Sequence, residues 1–337
     1  MVETVRIGVT GTGGLGTHVL RELDEVDGAE IAALADISRE SLSRAAETFG
    51  VADDHCYDDH VAMLDAEDLD GVVIATPHAL HYEQTVAALD RGVDTLCEKP
   101  LCIDLDRARD LVRRSDEADA TLMVGYQRHL MPAYRRARDE LEIQTGDPQF
   151  ITAEVTQDWI ANQRGSWRSN PDLSGGGQLY DTGSHLLDVV LWTTNLVPVS
   201  VNAQMLFADD ERRVDKQAAL DIQFDNGAVA TVAVSGDVPT VREHFHVWGP
   251  EGGFYVEGDD WSTRDLTYID ADGEESEPPL DAYDAPTKAA AFVRVVRDDA
   301  EPPAKPRDAL KVTAVTEAAY ESATTGRRVD IDLGDFE

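Results

Sequence analysis

A strand-like run passes directly into a glycine-rich turn in residues 5–16, which read VRIGVTGTGGLG. Val5–Val9 is apolar enough for a buried strand, and a helical pattern follows the turn. Gly11 permits a tight turn, Gly13 lets the backbone approach a pyrophosphate, and Gly16 allows close packing of helix on strand. Free N–H groups at the start of the helix favour phosphate there. The stretch predicts a dinucleotide-binding unit that opens an α/β domain.

An acidic residue stands where the ribose of such a dinucleotide would bind. Asp36 follows a second predicted strand, Ile31–Ala35, and lies 20 residues beyond Gly16. Its carboxylate favours NAD, because it would repel the 2′-phosphate of NADP. Ser38 and Arg39 come next, and an arginine there can accept that phosphate. The sequence therefore favours NAD and leaves NADP open.

Two more predicted strands end in polar residues. Gly71–Ala75 runs into Thr76-Pro77-His78, with His81 in the first turn of the next helix, and Val93–Leu96 runs into Cys97-Glu98-Lys99-Pro100. Proline cannot continue a sheet ladder, and a lysine aimed into a cleft must be desolvated or paired. Ligands bind at this edge of a parallel sheet. We therefore expect cofactor contacts from the residues after the first strand and chemistry from the lysine; a helix-start or surface role for either histidine stays open.

The pattern changes from residue 149. Runs of alternating apolar and polar residues follow one another there without helices between them, separated by turn signals such as Asp225-Asn226-Gly227. The sequence therefore predicts an α/β Rossmann domain, residues 1–126, followed by an α+β domain, residues 127–337, with a large, mostly antiparallel, open-faced sheet. Such a sheet leaves one face uncovered, so we expect a homo-oligomer.

The chain is strongly acidic. It has 337 residues, with 66 aspartates and glutamates against 29 lysines and arginines, and a net charge of −37. Such a surface repels nucleic acid and anionic membranes. Because the acidic excess runs along the whole chain, we interpret it as adaptation to molar salt, which screens charges beyond about 3 Å. A single carboxylate is then weak evidence for a site.

Other features of the composition indicate a cytoplasmic protein. No apolar run is long enough to span a membrane, and the first residues lack the basic and apolar segments of a signal peptide. The three cysteines, Cys56, Cys97 and Cys102, do not suggest a disulfide framework. His244 and His246 share one face of a predicted strand, but two ligands without a third are weak evidence for a metal site, and we expect none.

A second group of chemical residues lies in 175–188, GGGQLYDTGSHLLD. Three glycines, Gly175–Gly177, allow the backbone to approach a ligand closely. Asp181 and His185 then stand at positions i and i+4 of a predicted helix, on one face. Such a pair can move a proton, because a carboxylate orients the histidine and stabilises its charged form. Alone it would more often be a helix-surface ion pair, but the glycines favour a site.

These motifs together resemble the glucose–fructose oxidoreductase, inositol dehydrogenase and rhizopine-catabolism family over nearly the whole chain. The matching segments are Gly11–Gly16, Asp36, Ala75-Thr76-Pro77 with His81, Glu98-Lys99-Pro100, Gly125–Arg128, Trp167-Arg168, and Gly175–Gly177 with Asp181, His185 and Asp188. One departure is His78, where relatives often carry asparagine.

The resemblance implies NAD(P)-dependent oxidation of a sugar, cyclitol or sugar-acid hydroxyl, or the reverse reduction, by dimers or tetramers. It implies Lys99, Asp181 and His185 as the catalytic residues. The predicted cofactor contacts are Gly11, Thr12, Gly13, Gly14, Leu15, Gly16, Asp36, Ile37, Arg39, Thr76, Pro77, His78, His81, Glu98 and Lys99. The predicted substrate contacts are Arg128, Trp159, Trp167, Arg168 and Asp188.

In the mechanism that these residues predict, His185 takes the proton of the substrate hydroxyl. Lys99 donates a hydrogen bond to the same oxygen, and Asp181 orients the pair, so no metal is needed. The sequence leaves open whether Lys99 or His185 is the proton acceptor. Two other functions stay open: a glycosidase that uses transient oxidation by bound NAD, and a non-catalytic dinucleotide- or sugar-binding regulator. The regulator is disfavoured because all three catalytic residues are present.

Overall fold

The computed structural model describes residues 4–336, and these form two compact units. One comprises the chain up to Gln127 together with Pro286–Ala309, and the other comprises Arg128–Ala285 and the chain from Leu310 onward. The sequence-based division at residues 126 and 127 assigns everything beyond it to the second domain, so it is wrong for the segment 286–309. The outermost residues of the predicted domains, 1–3 and 337, lie outside the described residues.

The strands are, in chain order, β1 Val5–Thr10, β2 Ala29–Ala35, β3 Cys56–Tyr57, β4 Gly71–Ile74, β5 Asp94–Cys97, β6 Leu122–Val124, β7 Phe150–Thr156, β8 Pro198–Phe207, β9 Asp215–Phe224, β10 Val229–Ser235, β11 Arg242–Gly249, β12 Gly252–Gly258, β13 Asp265–Asp270, β14 Glu275–Ser276 and β15 Val329–Asp330.

The α-helices are α1 Gly14–Asp24, α2 Arg39–Phe49, α3 His60–Ala66, α4 His81–Leu89, α5 Leu105–Glu117, α6 Pro132–Asp139, α7 Leu141–Thr145, α8 Trp159–Asn162, α9 Pro171–Ser174, α10 Ser184–Thr194, α11 Lys288–Asp298 and α12 Pro306–Thr325. A π-helical turn, Leu179–Gly183, leads into α10.

The first unit contains a parallel sheet of six strands in the order β3-β2-β1-β4-β5-β6. This is the strand order of a doubly wound dinucleotide-binding fold, so the predicted Rossmann domain is confirmed. Because all six strands are parallel, the segments that follow β1, β4 and β5 emerge at the same edge. That edge therefore carries the glycine-rich turn after β1, Thr76 after β4 and Lys99 after β5.

Helix α11 explains why residues 286–309 belong to the first unit. Its aromatic side chain, Phe292, is fully buried, and a Cβ added at Gly71 would lie 3.0 Å from both Phe292 and Ile7. α11 also packs against α1. The apolar face of α11 is removed from water by packing on the first unit, although the helix lies far from that unit's other residues in the chain.

The second unit contains a sheet of nine strands in the order β14-β13-β12-β11-β7-β10-β9-β8-β15. Only β7 and β10 pair in parallel; the other seven pairings are antiparallel, which confirms a mostly antiparallel sheet. Alternate residues of β7 are buried, and α10 packs on that strand. The acidic stretch Asp270–Asp281 contains the short strand β14.

Candidate active site

The glycine-rich turn of the first unit forms an open cradle. Gly11 has φ +89°, and a Cβ there would meet the backbone of Ala75 at 2.7 Å. Gly13 and Gly14 are exposed, and a Cβ at either would meet nothing within 4 Å. α1 begins at Gly14 without a side-chain cap, so its first N–H groups point to this space. The space and the donors fit a dinucleotide pyrophosphate.

Asp36 closes one side of this turn. Its Oδ2 accepts hydrogen bonds from the N–H of Thr12 at 2.7 Å and from the Thr12 hydroxyl at 3.0 Å. Its Oδ1 accepts from the N–H of Ser38 at 2.7 Å. The structure thus brings Thr12 and Asp36 together, and the donors hold the carboxylate in one orientation. Ile37, which is 89% exposed, and Arg39 project from the same segment.

His81 is used inside the protein rather than toward a ligand. The ring is fully buried, and its Nδ1 and Nε2 lie 2.8 and 3.0 Å from the carbonyl oxygens of Pro100 and Thr76. Burial lowers the pKa of His81. Its predicted cofactor contact is therefore corrected: the imidazole ties the end of β4 to the turn after Lys99. His78 is also buried, whereas Thr76 and Pro77 are partly exposed.

Lys99 lies two residues after the end of β5 and is partly exposed, and its peptide bond to Pro100 is cis. The residue before it, Glu98, is 1% exposed and forms an ion pair with Lys288. The carboxylate of Glu98 is therefore committed within the first unit. Its predicted cofactor contact by the side chain is corrected, and only its main chain remains for that purpose.

In the second unit, two of the predicted substrate residues, Trp159 and Arg168, contact the carboxylate of Asp181. The indole Nε1 of Trp159 donates a hydrogen bond of 2.7 Å to Oδ2 of Asp181, and Nε of Arg168 lies 3.2 Å from the same oxygen. The guanidinium of Arg168 also stacks over the ring of Trp167, at 4.4 Å from its centroid. Trp159 is 2% exposed, so its predicted substrate contact is corrected: it orients Asp181 instead.

Asp181 and His185 do not lie on one regular helix as predicted. Asp181 is within the π-helical turn, and His185 is in the first turn of α10. Both residues are buried. π-Helical turns occur mostly as local widenings of α-helices and are frequent at functional sites.

Two of the three glycines before this turn, Gly176 and Gly177, accommodate protein atoms rather than a ligand. A Cβ at Gly177 would overlap the main chain of Asp215, and a Cβ at Gly176 would overlap the hydroxyl of Tyr320. The N–H of Gly177 donates to Oδ1 of Asp215 at 3.1 Å, and the hydroxyl of Tyr320 donates to the same oxygen. Burial raises the pKa of Asp215. This contact network fixes the start of the helix that carries Asp181.

Two further predicted substrate residues are buried in ion pairs. Arg128 is 2% exposed, and its Nε donates to Oε1 of Glu243 at 2.8 Å. Oδ2 of Asp188 lies 2.9 Å from Nε2 of His129. Each charge in such a buried pair is committed to its partner, because losing the partner would leave an uncompensated buried charge. Direct substrate contact by Arg128 and Asp188 is therefore corrected to a structural role.

Comparison with known proteins supplies the family. The family described as oxidoreductases with an NAD-binding Rossmann fold, GFO/IDH/MocA, matches residues 5–126, and the GFO/IDH/MocA C-terminal domain matches residues 134–255. This chain belongs to the GFO/IDH/MocA oxidoreductase family. The resemblance seen in the sequence motifs is thereby confirmed, and with it an NAD(P)-dependent oxidoreductase.

Relatives of this oxidoreductase match along nearly its whole length. D-xylose 1-dehydrogenase [NADP(+)] of Haloarcula marismortui is 29% identical over 97% of this chain and 93% of its own. D-xylose 1-dehydrogenase (NADP(+)) 2 of Haloferax volcanii is 28% identical over 96% of this chain and 99% of its own. Aldose-aldose oxidoreductase from Caulobacter crescentus has a TM-score of 0.84 at 23% identity, over 98% of this chain and all of that one, and shows the same fold.

Sequence reasoning missed four residues of this oxidoreductase: Asp215, Tyr320, Glu243 and Lys288. Each pairs with a residue far away in the chain, so no local spacing could reveal it. The sequence hints only at Lys288, because lysine is rare in this chain, with five among 337 residues. Over residues 4–336, no group of three or more His, Cys, Asp or Glu side chains is arranged to hold a metal ion, and no helix is both long and apolar enough to cross a membrane.

Proposed function

We propose that this oxidoreductase oxidises a hydroxyl group of a sugar, cyclitol or sugar acid, with Lys99, Asp181 and His185 as the catalytic residues. The observation that carries the proposal is the shared edge of the parallel sheet in the first unit. The open glycine cradle after β1, Thr76 after β4 and Lys99 after β5 all lie at that edge. A dinucleotide site and a lysine at the same edge support hydride-transfer chemistry.

The cradle residues 11–16 with Asp36 and Thr76 would hold the coenzyme, and a bound nicotinamide coenzyme supplies the hydride acceptor. Lys99 donates a hydrogen bond to the substrate oxygen and stabilises the negative charge that develops there, a contribution of about 3 kcal/mol. His185 accepts the hydroxyl proton. Asp181, itself oriented by Trp159 and Arg168, orients His185.

Aldoses are the first substrates to test, because two relatives are named D-xylose 1-dehydrogenases. These and the other relatives named as dehydrogenases or reductases support the dehydrogenase over the glycosidase and the regulator. Both D-xylose relatives are named for NADP, whereas Asp36 favours NAD. We propose NAD as the preferred coenzyme, with NADP accepted through Arg39.

The test is the initial rate of reduced-coenzyme formation, in multi-molar KCl, across aldoses, cyclitols and their acids, with NAD and NADP in parallel. A rate that depends on substrate supports the proposal; sugar release without net reduced coenzyme, or a flat panel with coenzyme bound, contradicts it. Lys99→Ala should lower kcat by about 10³-fold or more, with coenzyme binding retained in calorimetry. Lys305→Ala, a change at an exposed lysine, serves as the matched control and should keep the wild-type rate.

A cytoplasmic, salt-adapted homo-oligomer is part of the same proposal. The net charge of −37 and the two relatives from Haloarcula and Haloferax support a halophilic source. Phe150, Leu206 and Val229 are exposed apolar residues on strands of the second unit, which supports a subunit contact there. Light scattering in high salt should give a multiple of the chain mass, and Leu206→Glu should reduce it. A monomeric wild-type protein contradicts this part.

A further inference from the structure

Lys288 and Glu98 form a buried ion pair in the first unit. Nζ of Lys288 donates a hydrogen bond to Oε1 of Glu98. The two residues are 8% and 1% exposed, so both charges are withdrawn from water. Removing one partner of such a pair leaves the other as an uncompensated buried charge. Lys288 therefore supplies the counter-ion of the buried Glu98 carboxylate.

Glu98 is held beside the main chain of Lys99. Its N–H donates to the carbonyl oxygen of Ile74 at 2.9 Å, at the end of β4. Gly125, just after β6, faces the carboxylate so closely that a Cβ there would lie 2.6 Å from Oε2 of Glu98. The N–H of Lys99 lies 3.4 Å from the same oxygen. The carboxylate cannot move away without disturbing the turn that carries Lys99.

Lys288 occupies a position that its own helix does not favour. It is the first residue of α11, where a positive charge opposes the helix dipole. The helix is anchored nearby, because the N–H of Ala289 lies 3.3 Å from Oε2 of Glu22 and Phe292 packs against Gly71. A lysine at this place is therefore explained by its partner, Glu98.

We propose that Lys288 is a positioning residue for Lys99 and acts through Glu98. The inference rests on the proposed role of Lys99 at the substrate oxygen. With Lys288 in place, the buried carboxylate has a counter-ion that takes no part in the reaction. Without Lys288, the ammonium group of Lys99, one residue from Glu98, becomes the counter-ion that the carboxylate attracts. Lys99 is then drawn away from the substrate oxygen, and turnover falls.

The test compares Lys288→Met, which keeps the length of the side chain without its charge, with Glu98→Gln and with the double variant. Lys288→Met should lower kcat on the order of 10- to 100-fold, because small misplacements of a catalytic group have effects of that size. The KM for coenzyme, and coenzyme binding in calorimetry, should change little. Lys288→Arg, which keeps the charge, should restore much of the rate. Lys305→Met removes an exposed lysine–glutamate pair and is the matched control.

The double variant separates positioning from simple stability. With Glu98→Gln present, no buried carboxylate remains to attract Lys99, so the double variant should have a higher kcat than Lys288→Met. If Lys288→Met does not fold, Lys288→Gln, which also removes the charge, takes its place in the comparison. A wild-type kcat in Lys288→Met, or no recovery in the double variant, overturns the inference. A wild-type enzyme without dehydrogenase activity, or an active Lys99→Ala, overturns the proposed function instead.

Discussion

The indole Nε1 of Trp159 donates a hydrogen bond of 2.7 Å to Oδ2 of Asp181. Both side chains are buried, and Nε of Arg168 approaches the same oxygen at 3.2 Å. A hydrogen bond to a buried charged group is worth about 1.5–3 kcal/mol. Trp159 therefore orients Asp181 by a specific polar contact in addition to filling space.

Trp159→Phe should separate these two contributions, because phenylalanine keeps most of the bulk and removes the donor. We expect kcat to fall about tenfold or more, with the KM for coenzyme unchanged, since the coenzyme cradle lies in the other unit. Steady-state kinetics and thermal unfolding check this outcome. Trp261→Phe, at a tryptophan that is 43% exposed, is the matched control. A Trp159→Phe enzyme with wild-type kcat would show that the hydrogen bond is not needed.

Coenzyme preference should depend on the charge of Asp36. Asp36→Asn keeps one acceptor oxygen, for the N–H of Thr12 or that of Ser38, and removes the charge that repels a 2′-phosphate. We expect the ratio of kcat/KM for NADP to that for NAD to rise about tenfold, and the rise to shrink as KCl is increased. Arg39→Met should move the ratio in the opposite direction. An unchanged ratio in both variants would exclude this segment as the determinant.

Glu243 should make the second unit sensitive to acid. Burial opposes ionisation of this carboxyl, but Arg128 and Arg264 outweigh it and lower the pKa of Glu243 from 4.5 to about 2. A carboxyl whose pKa is lower in the folded state than in the unfolded state stabilises the fold at any pH above its unfolded-state pKa. This stabilisation is lost as the pH falls toward its folded-state pKa. The ionised group thus contributes about 3 kcal/mol near neutral pH.

Glu243→Gln removes that contribution. Its deficit in the free energy of unfolding, relative to wild type, should be constant from neutral pH down to about pH 5 and then shrink by about 1.4 kcal/mol per pH unit. Denaturant titrations at several pH values in constant high salt measure it. Glu257→Gln, at an exposed carboxylate beside His246, is the control. A deficit that does not change with pH would mean that the Glu243 network is held together by packing alone.

The glycines before Asp181 show where sequence reasoning succeeds and where it stops. Local spacing was enough to predict the cradle at Gly11–Gly16, because strand, turn and helix are neighbours in the chain. It also marked Gly175–Gly177 as a place of close approach, but assigned the approach to a ligand. The atoms that approach belong to Asp215 and Tyr320, which lie 38 and 143 positions from Gly177. Contacts over such separations are set by tertiary packing and leave no periodic pattern.

The same separation hides the pairing of Arg128 with Glu243, 115 positions apart, and of Lys288 with Glu98, 190 positions apart. The motif alone therefore predicts Arg128 as a substrate contact, although its guanidinium forms a buried ion pair with Glu243. Charged residues near a motif can be recognised from sequence, whereas their partners cannot. Whether such a residue faces a ligand or a buried counter-ion is decided by those partners.

The contact between Gly177 and Asp215 should be essential for the helix start that carries Asp181. In Gly177→Ala the added methyl group overlaps the main chain of Asp215, the first residue of β9, which is held by pairing with Phe207 of β8. We expect a loss of about 1–3 kcal/mol in the free energy of unfolding, as for other overpacked sites, together with a fall in kcat. Chemical denaturation and steady-state kinetics measure the two effects.

Tyr320→Phe tests the same contact without adding volume. It removes the hydroxyl that donates to the buried Asp215 and accepts from the N–H of Gly177 at 3.0 Å. Leaving these groups without that partner should cost about 1–3 kcal/mol. Tyr283→Phe, which removes a tyrosine–aspartate hydrogen bond at the surface, should cost much less. Because both Gly177→Ala and Tyr320→Phe act on the segment before Asp181, kcat should fall in both while coenzyme binding is kept. Equal losses in Tyr320→Phe and Tyr283→Phe would show that the buried network does not anchor this segment.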